Sequence, residues 1–140
     1  MILPDVNILV STFDTDSPLH EQCFNWVQQV TTGAERYCIS PQVLSSVIRI
    51  VTNRKIFAIP ATTEKALEFC ESLITPRCEL VRPGARHWGI FTRLCRESGA
   101  TGNLISDAWL AALAIEHGCE WVSNDTDFGR FPGLRWRKPF

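Results

Sequence analysis

The chain opens with the letters MILPD at residues 1–5, a short apolar run that ends in a carboxylate. Such a run predicts a buried β-strand with Asp5 at its carboxyl end. The pattern returns near the other end of the chain, where EWVSND at residues 120–125 predicts a strand followed by Asp125. Burial at the edge of an apolar segment favours another apolar residue, so these two carboxylates indicate either a functional site or a local capping role.

Strand-like and helix-like segments alternate along the rest of the chain. Further strands are predicted at residues 37–39 and 79–81, with a fifth at 134–136 that is expected at a sheet edge because prolines flank it. Helices are predicted at residues 18–31, 42–53, 63–73, from Pro83-Gly84 to Gly99, and at 103–117. This alternation predicts an α/β fold with a central, mostly parallel sheet of about four to five strands covered by helices.

Three helix ends carry recognisable signals. Ser40 is expected to cap the helix that begins around Pro41, and Thr101 could cap the helix at 103–117. Gly118 is expected to end that last helix in a left-handed conformation.

Length and composition indicate a single globular domain spanning residues 1–140, with 45% hydrophobic and 21% charged residues. The formal net charge of -1 argues against a protein that holds nucleic acid by bulk positive charge. Eleven of the fourteen basic residues are nevertheless Arg, and the tail at 130–140 contains four basic residues and no acid. Because Arg suits phosphate recognition, Arg49 and this tail are candidate phosphate contacts.

The six cysteines include no C-x-x-C pair, and most of them lie inside apolar periodic runs. Cysteines in that setting behave as small core residues, which favours free thiols over disulfides or a zinc site. Neither a signal peptide nor a run of membrane-spanning length is recognisable. We therefore expect a protein of the reducing cytoplasm with no membrane partner.

Asp107 lies in a third acidic stretch, GNLISDA at residues 102–108, near the start of an apolar helix. In parallel sheets the ligand site lies beyond the carboxyl ends of the strands, where Asp5 and Asp125 are expected and where the first part of a packed helix can bring Asp107. Carboxylates gathered at one place repel one another unless a proton or a cation relieves them. Oxygen ligands without a matching His or Cys set indicate Mg²⁺ or Mn²⁺, and hence metal-assisted phosphodiester chemistry.

Other interpretations compete with the metal site. Asp5 and Asp127 could cap helices or turns, whereas Asp107 lies where Ala or Leu would serve the core better. A receiver domain would need a Lys after a later strand, and none of the three lysines (Lys55, Lys65, Lys138) lies there. A nucleotide-binding switch lacks its glycine-rich phosphate loop, and no Ser–His–Asp arrangement can be assembled.

Four segments, taken in order, resemble the PIN-domain ribonucleases, specifically the VapC-type toxins of bacterial toxin–antitoxin pairs. They are residues 2–9 (ILPDVNIL), the helix at 43–53 (VLSSVIRIVTN), residues 102–114 beginning GNLISDA, and residues 123–134 beginning SNDTDF. Each segment alone is a modest signal, but the ordered set spans almost the whole chain.

The resemblance implies a PIN-like three-layer α/β/α fold and a Mg²⁺- or Mn²⁺-dependent endoribonuclease that cleaves tRNA or rRNA. It also implies a homodimer and a cognate antitoxin as partner. Asp5, Asp107 and Asp125 match the family's catalytic metal ligands, and Asp127 matches an acid that is more often supporting. Asn7 and Ser123 match polar positions that brace the acids.

One departure from the family's pattern concerns a fourth acid. The family commonly has a Glu in the helix before the Arg-x-x-Thr-Asn segment, and this chain has Ser46 there. The site is therefore expected to contain three acids and to bind metal more weakly or as a single ion. The alternative function is a catalytically weak PIN domain that acts mainly as an RNA- or partner-binding module.

Overall fold

The structure is a computed structural model and describes all 140 residues. It contains five short strands, six α-helices and one 3₁₀ helix at Thr126–Arg130. The strands are β1 (Ile2–Pro4), β2 (Tyr37–Ile39), β3 (Cys78–Leu80), β4 (Glu120–Val122) and β5 (Trp136–Arg137). The helices are α1 (Val6–Phe13), α2 (His20–Thr32), α3 (Pro41–Val51), α4 (Thr63–Ser72), α5 (His87–Ser98) and α6 (Asn103–Glu116).

All paired strands are parallel. Strand β4 lies between β1 and β5, and β2 pairs with β3 in a separate two-stranded ladder. Strand β1 also lies beside β2, so the two ladders form adjacent parts of one layer. The predicted α/β fold with helices around a parallel sheet of four to five strands is confirmed, as is the edge position of β5, although β5 lies at Trp136–Arg137 rather than 134–136.

The helices enclose one hydrophobic core of 26 buried residues. Helix α1 packs against α2 and α3, while α5 packs against α6, which in turn contacts β4. This is the three-layer α/β/α arrangement that was expected. Four of the cysteines are buried in this core, as their apolar surroundings predicted (Cys23, Cys38, Cys70 and Cys119).

Two of the three predicted helix-end signals are confirmed. The Ser40 hydroxyl accepts a hydrogen bond from the Val43 N–H, and Gly118 has the left-handed φ of 65°. The predicted cap at Thr101 is wrong, because Gly102 occupies the cap position of α6 with a φ of 58° and no side-chain hydrogen bond.

The predicted helix start at Pro83-Gly84 is also wrong, because α5 begins at His87. The carboxylate of Glu116 accepts the backbone N–H groups of Gly84 (2.7 Å) and Arg86 (2.9 Å), which holds this segment in a turn ahead of the helix. None of the six helices combines the length and the apolar composition that crossing a membrane requires.

Candidate functional site

A cleft of about 460 Å³ opens between α1, α3 and α6, beyond the carboxyl end of β1. It contains two of the three acids that the sequence singled out, Asp5 and Asp107. Its lining residues are Asp5, Val6, Asn7, Val10, Ser11, Ser46, Arg49, Ile50, Ser106, Asp107 and Leu110. Seven of these side chains are polar or charged, and the other four are aliphatic.

Asp5 follows β1 directly and is only 6% exposed. Its backbone N–H donates to the Val122 carbonyl (2.9 Å), which fixes the residue against the end of β4. One carboxylate oxygen accepts the Val6 N–H (2.6 Å) and so caps α1, while the other accepts the Ser123 hydroxyl (2.6 Å). Asp5 therefore caps α1, as the capping interpretation predicted, and its side chain also lines the cleft.

Asn7 and Ser123 connect the segments that follow β1 and β4. The Asn7 amide donates to the Asp5 carboxylate and to the Ser123 hydroxyl, both at 3.0 Å. The Ser123 hydroxyl in turn accepts the Asp125 N–H (3.0 Å), and the Asn7 side-chain oxygen accepts the Asn124 N–H (3.3 Å). These bonds give both residues the bracing role that the resemblance implied.

Asp107 enters the cleft from the second turn of α6 and is partly buried. Burial, followed by repulsion from Asp125 and Asp127, raises its pKa to about 6. The pKa of Asp5 is also raised to about 6 by burial, which outweighs its hydrogen bonds and adds to the repulsion of Asp107 and Asp125. Asp107 and Asp125 therefore lie close enough to Asp5 for their charge to disfavour its ionisation, and Asp125 and Asp127 act in the same way on Asp107.

Asp125 lies just outside the cleft lining, although its charge acts on both cleft acids. Its carboxylate accepts the Asp127 N–H (2.9 Å) and caps the 3₁₀ helix. Asp127 is exposed and lies 3.4 Å from the Arg130 guanidinium. No three acidic, His or Cys side chains converge into a closed metal-binding cluster in this structure.

The donor set of the cleft fits a hard divalent cation. Asp5 and Asp107 offer carboxylate oxygens in a partly buried setting where a positive charge would offset their repulsion, with Asp125 at the margin. Ser46 lines the same cleft, so the position that the family fills with Glu here supplies a hydroxyl and no charge.

Of the proposed phosphate contacts, only Arg49 lines the acid cleft. Arg135 and Arg137 line a separate cleft, where they donate to the Gly118 carbonyl and to the Glu120 carboxylate. The Arg-rich tail is therefore largely held in contacts within the protein and does not form a basic wall of the acid site.

Three residues of this region were not predicted from the sequence. Ser11 and Ser106 line the cleft, and the position of Ser106 directly before Asp107 was a usable signal. Trp136 donates its indole N–H to the Ser123 carbonyl (3.1 Å), a contact between strand ends that no local pattern reveals.

The PIN domain family model matches residues 2–134. The chain is 37% identical to the VapC ribonuclease Mb2897 of Mycobacterium bovis, over 99% of this chain and 95% of that protein. It is also 37% identical to ribonuclease VapC25 of Mycobacterium tuberculosis, over 99% of each chain.

Solved structures support the same fold. VapBC2 from Rickettsia felis, bound to a DNA fragment from its promoter, has a TM-score of 0.71 at 20% identity over 99% of this chain and 98% of that one. DNA-bound VapBC from Salmonella typhimurium has a TM-score of 0.67 at 22% identity and matches both chains in full. With a family model across nearly the whole sequence and relatives of this similarity, the chain belongs to the PIN domain family and to its VapC branch.

Proposed function

We propose that this protein is a metal-dependent endoribonuclease, the toxin of a type II toxin–antitoxin pair. The observation that carries the proposal is the placement of Asp5 and Asp107 in one cleft beyond the strand ends, each with its pKa raised to about 6. The relatives are named as ribonucleases, which gives this acidic cleft a reaction class. The proposed enzyme is a hydrolase of RNA phosphodiester bonds.

Asp5, Asp107 and Asp125 are the proposed catalytic residues and the proposed ligands of Mg²⁺ or Mn²⁺. Such a cation, when bound, makes a water molecule more acidic and neutralises charge that develops on the phosphate. The protein's part is to hold the Asp5 carboxylate at a fixed angle through Asn7 and Ser123. Fixed orientation matters because reacting groups must be aligned before the reaction begins.

The remaining cleft residues suit RNA binding at the acids. Arg49 is exposed on the cleft wall, where its guanidinium can contact a phosphate beside the scissile bond. The formal net charge of -1 leaves little non-specific attraction for RNA, which favours selection of a folded or looped RNA by shape. We propose tRNA or rRNA as the substrate class.

The proposed assembly follows from the VapC branch. We propose that residues 1–140 form a single domain and that two copies pair as a homodimer. We also propose that a cognate antitoxin covers the acid cleft and that the protein meets its RNA substrate in the cytoplasm. Two structures with the same fold are of VapBC bound to DNA.

A second function is favoured by one observation, the hydroxyl of Ser46 on the cleft wall. With one carboxylate fewer, the site attracts a cation less strongly. A catalytically weak PIN domain that acts mainly by binding RNA or its partner is the alternative to a fully active nuclease.

The two functions are separated by cleavage of total RNA with and without EDTA. Wild-type protein should cut RNA in Mg²⁺, stop in EDTA and resume when Mg²⁺ is restored. Asp5→Asn and Asp107→Asn should each lower the cleavage rate by about 100-fold or more, since each removes a charge that acts on the reacting centre.

Asp16→Asn is the matched control, because Asp16 is an exposed acid outside the cleft. It should cut like the wild type. Cleavage that persists in EDTA, or full activity in both cleft variants, would remove the metal-nuclease proposal. RNA binding without cleavage by folded wild-type protein would favour the binding module.

A further inference from the structure

The structure contains a second cluster of reactive groups, made of two thiols. Cys38 lies in β2, and Cys119 lies immediately before β4. Their sulfur atoms are 3.3 Å apart, although 81 positions separate them in the sequence. This is the distance of a thiol–thiol contact, and an S–S bond of about 2.05 Å would require the two segments to move together until their Cα atoms lie within about 7 Å.

The position of the pair follows from the sheet. Because Ile2 is in register with Glu120, Cys119 lies level with Met1 at the amino end of β1. Strand β1 lies between β4 and β2, so a bond from Cys119 to Cys38 would cross the first residue of the chain. The Met1 sulfur, 3.9 Å from the Cys38 sulfur, completes a group of three sulfur atoms.

We propose that Cys38 and Cys119 form a redox-sensitive pair, which hydrogen peroxide converts to an intramolecular disulfide between β2 and the start of β4. A small oxidant is required, because the two residues are 0% and 2% exposed. A cleft of about 440 Å³ opens beside the pair, and its lining includes Met1 and the sequence neighbours Tyr37 and Glu120.

The chemistry balances with one peroxide per pair. The Cys119 thiolate attacks a peroxide oxygen, so that an S–O bond forms, the O–O bond breaks, and the departing hydroxide takes a proton to become water. The Cys38 thiol then attacks the Cys119 sulfur and gives up its proton as the S–S bond forms and the S–O bond breaks. The hydroxide released in this step takes the Cys38 proton, and two electrons have passed from the thiols to peroxide.

The contact between the thiols also prepares one of them for this reaction. The hydrogen bond that they share lowers the pKa of Cys119, and the same bond together with burial raises the pKa of Cys38. Cys119 is thus the thiol that attacks peroxide, and Cys38 is the one that resolves the intermediate.

The other cysteines provide the comparison. Cys95 and Cys78 are less buried than the pair, so indiscriminate oxidation would reach them first. A disulfide that forms only between Cys38 and Cys119 would therefore reflect their proximity. This proposal does not depend on the function proposed for the acid cleft, which lies at the opposite ends of the strands.

The test is peptide mapping of the full-length protein under non-reducing conditions after exposure to stoichiometric peroxide. The six free thiols should fall to four, with the loss of two hydrogen atoms from the intact mass and one linked peptide pair containing Cys38 and Cys119. The melting temperature should rise by about 5–15 °C, because the bond closes a long loop, and dithiothreitol should reverse the rise.

Cys119→Ser should abolish both the linked peptide and the thermal shift, whereas Cys95→Ser should retain both. The wild-type peptide map decides the matter even where a serine variant folds poorly. Retention of all six thiols, a link that involves another cysteine, or oxidation of Cys119 only to sulfinic acid would overturn the proposal.

Discussion

At the scale of single residues, Asp5 shows how one carboxylate serves folding and the candidate site together. One of its oxygens caps α1, and the other accepts hydrogen bonds from Ser123 and Asn7. These bonds do not fully offset the cost of burial, because the pKa of Asp5 is raised from 3.8 to about 6. The residue therefore destabilises the metal-free fold when it is ionised.

The raised pKa of Asp5 predicts how the stability of Asp5→Asn changes with pH. A raised carboxylate pKa means that the folded state binds the proton more tightly than the unfolded state, so stability from this group is lost as pH rises from about 4 to about 6. The stability of Asp5→Asn relative to wild type should therefore increase between pH 4 and pH 7, by about 2–3 kcal/mol. Urea unfolding of both proteins in EDTA measures the difference.

Asp16→Asn is again the control, and its relative stability should stay within about 0.5 kcal/mol across this range because the residue is exposed. If the difference in unfolding free energy between Asp5→Asn and wild type did not change with pH, burial would not be raising the pKa of Asp5.

At the scale of secondary-structure elements, the turn before α5 depends on a side chain from α6. The Glu116 side chain is 6% exposed and accepts two backbone N–H groups ahead of α5. Burial alone would raise the pKa of Glu116, but the hydrogen bonds from Gly84 and Arg86 outweigh it and lower the pKa. A negative charge at this position also suits the amino end of α5.

We expect Glu116→Gln to lower the free energy of unfolding by about 1–2 kcal/mol, since the amide accepts less strongly and can satisfy only one of the two N–H groups. Glu97→Gln is the matched control, because its partner Arg93 is half-exposed, and it should cost less than about 0.5 kcal/mol. Equal losses in the two variants would show that the turn is held by other contacts.

Local sequence patterns predicted the presence of the helices and strands more accurately than their boundaries. Ser40 and Gly118 act through hydrogen bonds and dihedral angles within a few residues of themselves, so the sequence revealed them. The start of α5 depends on Glu116, which lies about thirty positions away, and no local pattern contains that contact. β5 likewise lies at Trp136–Arg137, where it pairs with β4, and not at the predicted residues 134–136.

The candidate site was predictable for a different reason. The sequence predicted that Asp5, at a strand end, and Asp107, near the start of a helix packed on the sheet, would meet at one rim of the sheet, and the structure places both in one cleft. Asp125 was expected at the same rim and lies just outside the cleft lining. Near the C-terminus, three side chains form hydrogen bonds with residues around β4. Trp136 donates to the Ser123 carbonyl, Arg135 to the Gly118 carbonyl and Arg137 to the Glu120 carboxylate. Such contacts depend on three-dimensional position and had no sequence signal.

At the scale of the whole molecule, the two ends of the sheet have separate chemistry. The acid cleft lies beyond the carboxyl ends of the strands, and the thiol pair lies near their amino ends. A single hydrophobic core cluster lies between them. Stabilisation at the thiol end can therefore act on the fold without contacting the proposed site of RNA cleavage.

We expect this cleft to bind a divalent cation through Asp5, Asp107 and Asp125, although Ser46 supplies no charge. Calorimetric titration of metal-free protein with Mg²⁺ measures this binding, with Asp107→Asn and Asp16→Asn compared with the wild type. Wild type and Asp16→Asn should each bind one ion per protomer, and Asp107→Asn should bind at least about tenfold more weakly. Two tight ions per protomer would contradict a three-carboxylate site, and equal affinity in Asp107→Asn would contradict the location of the site itself.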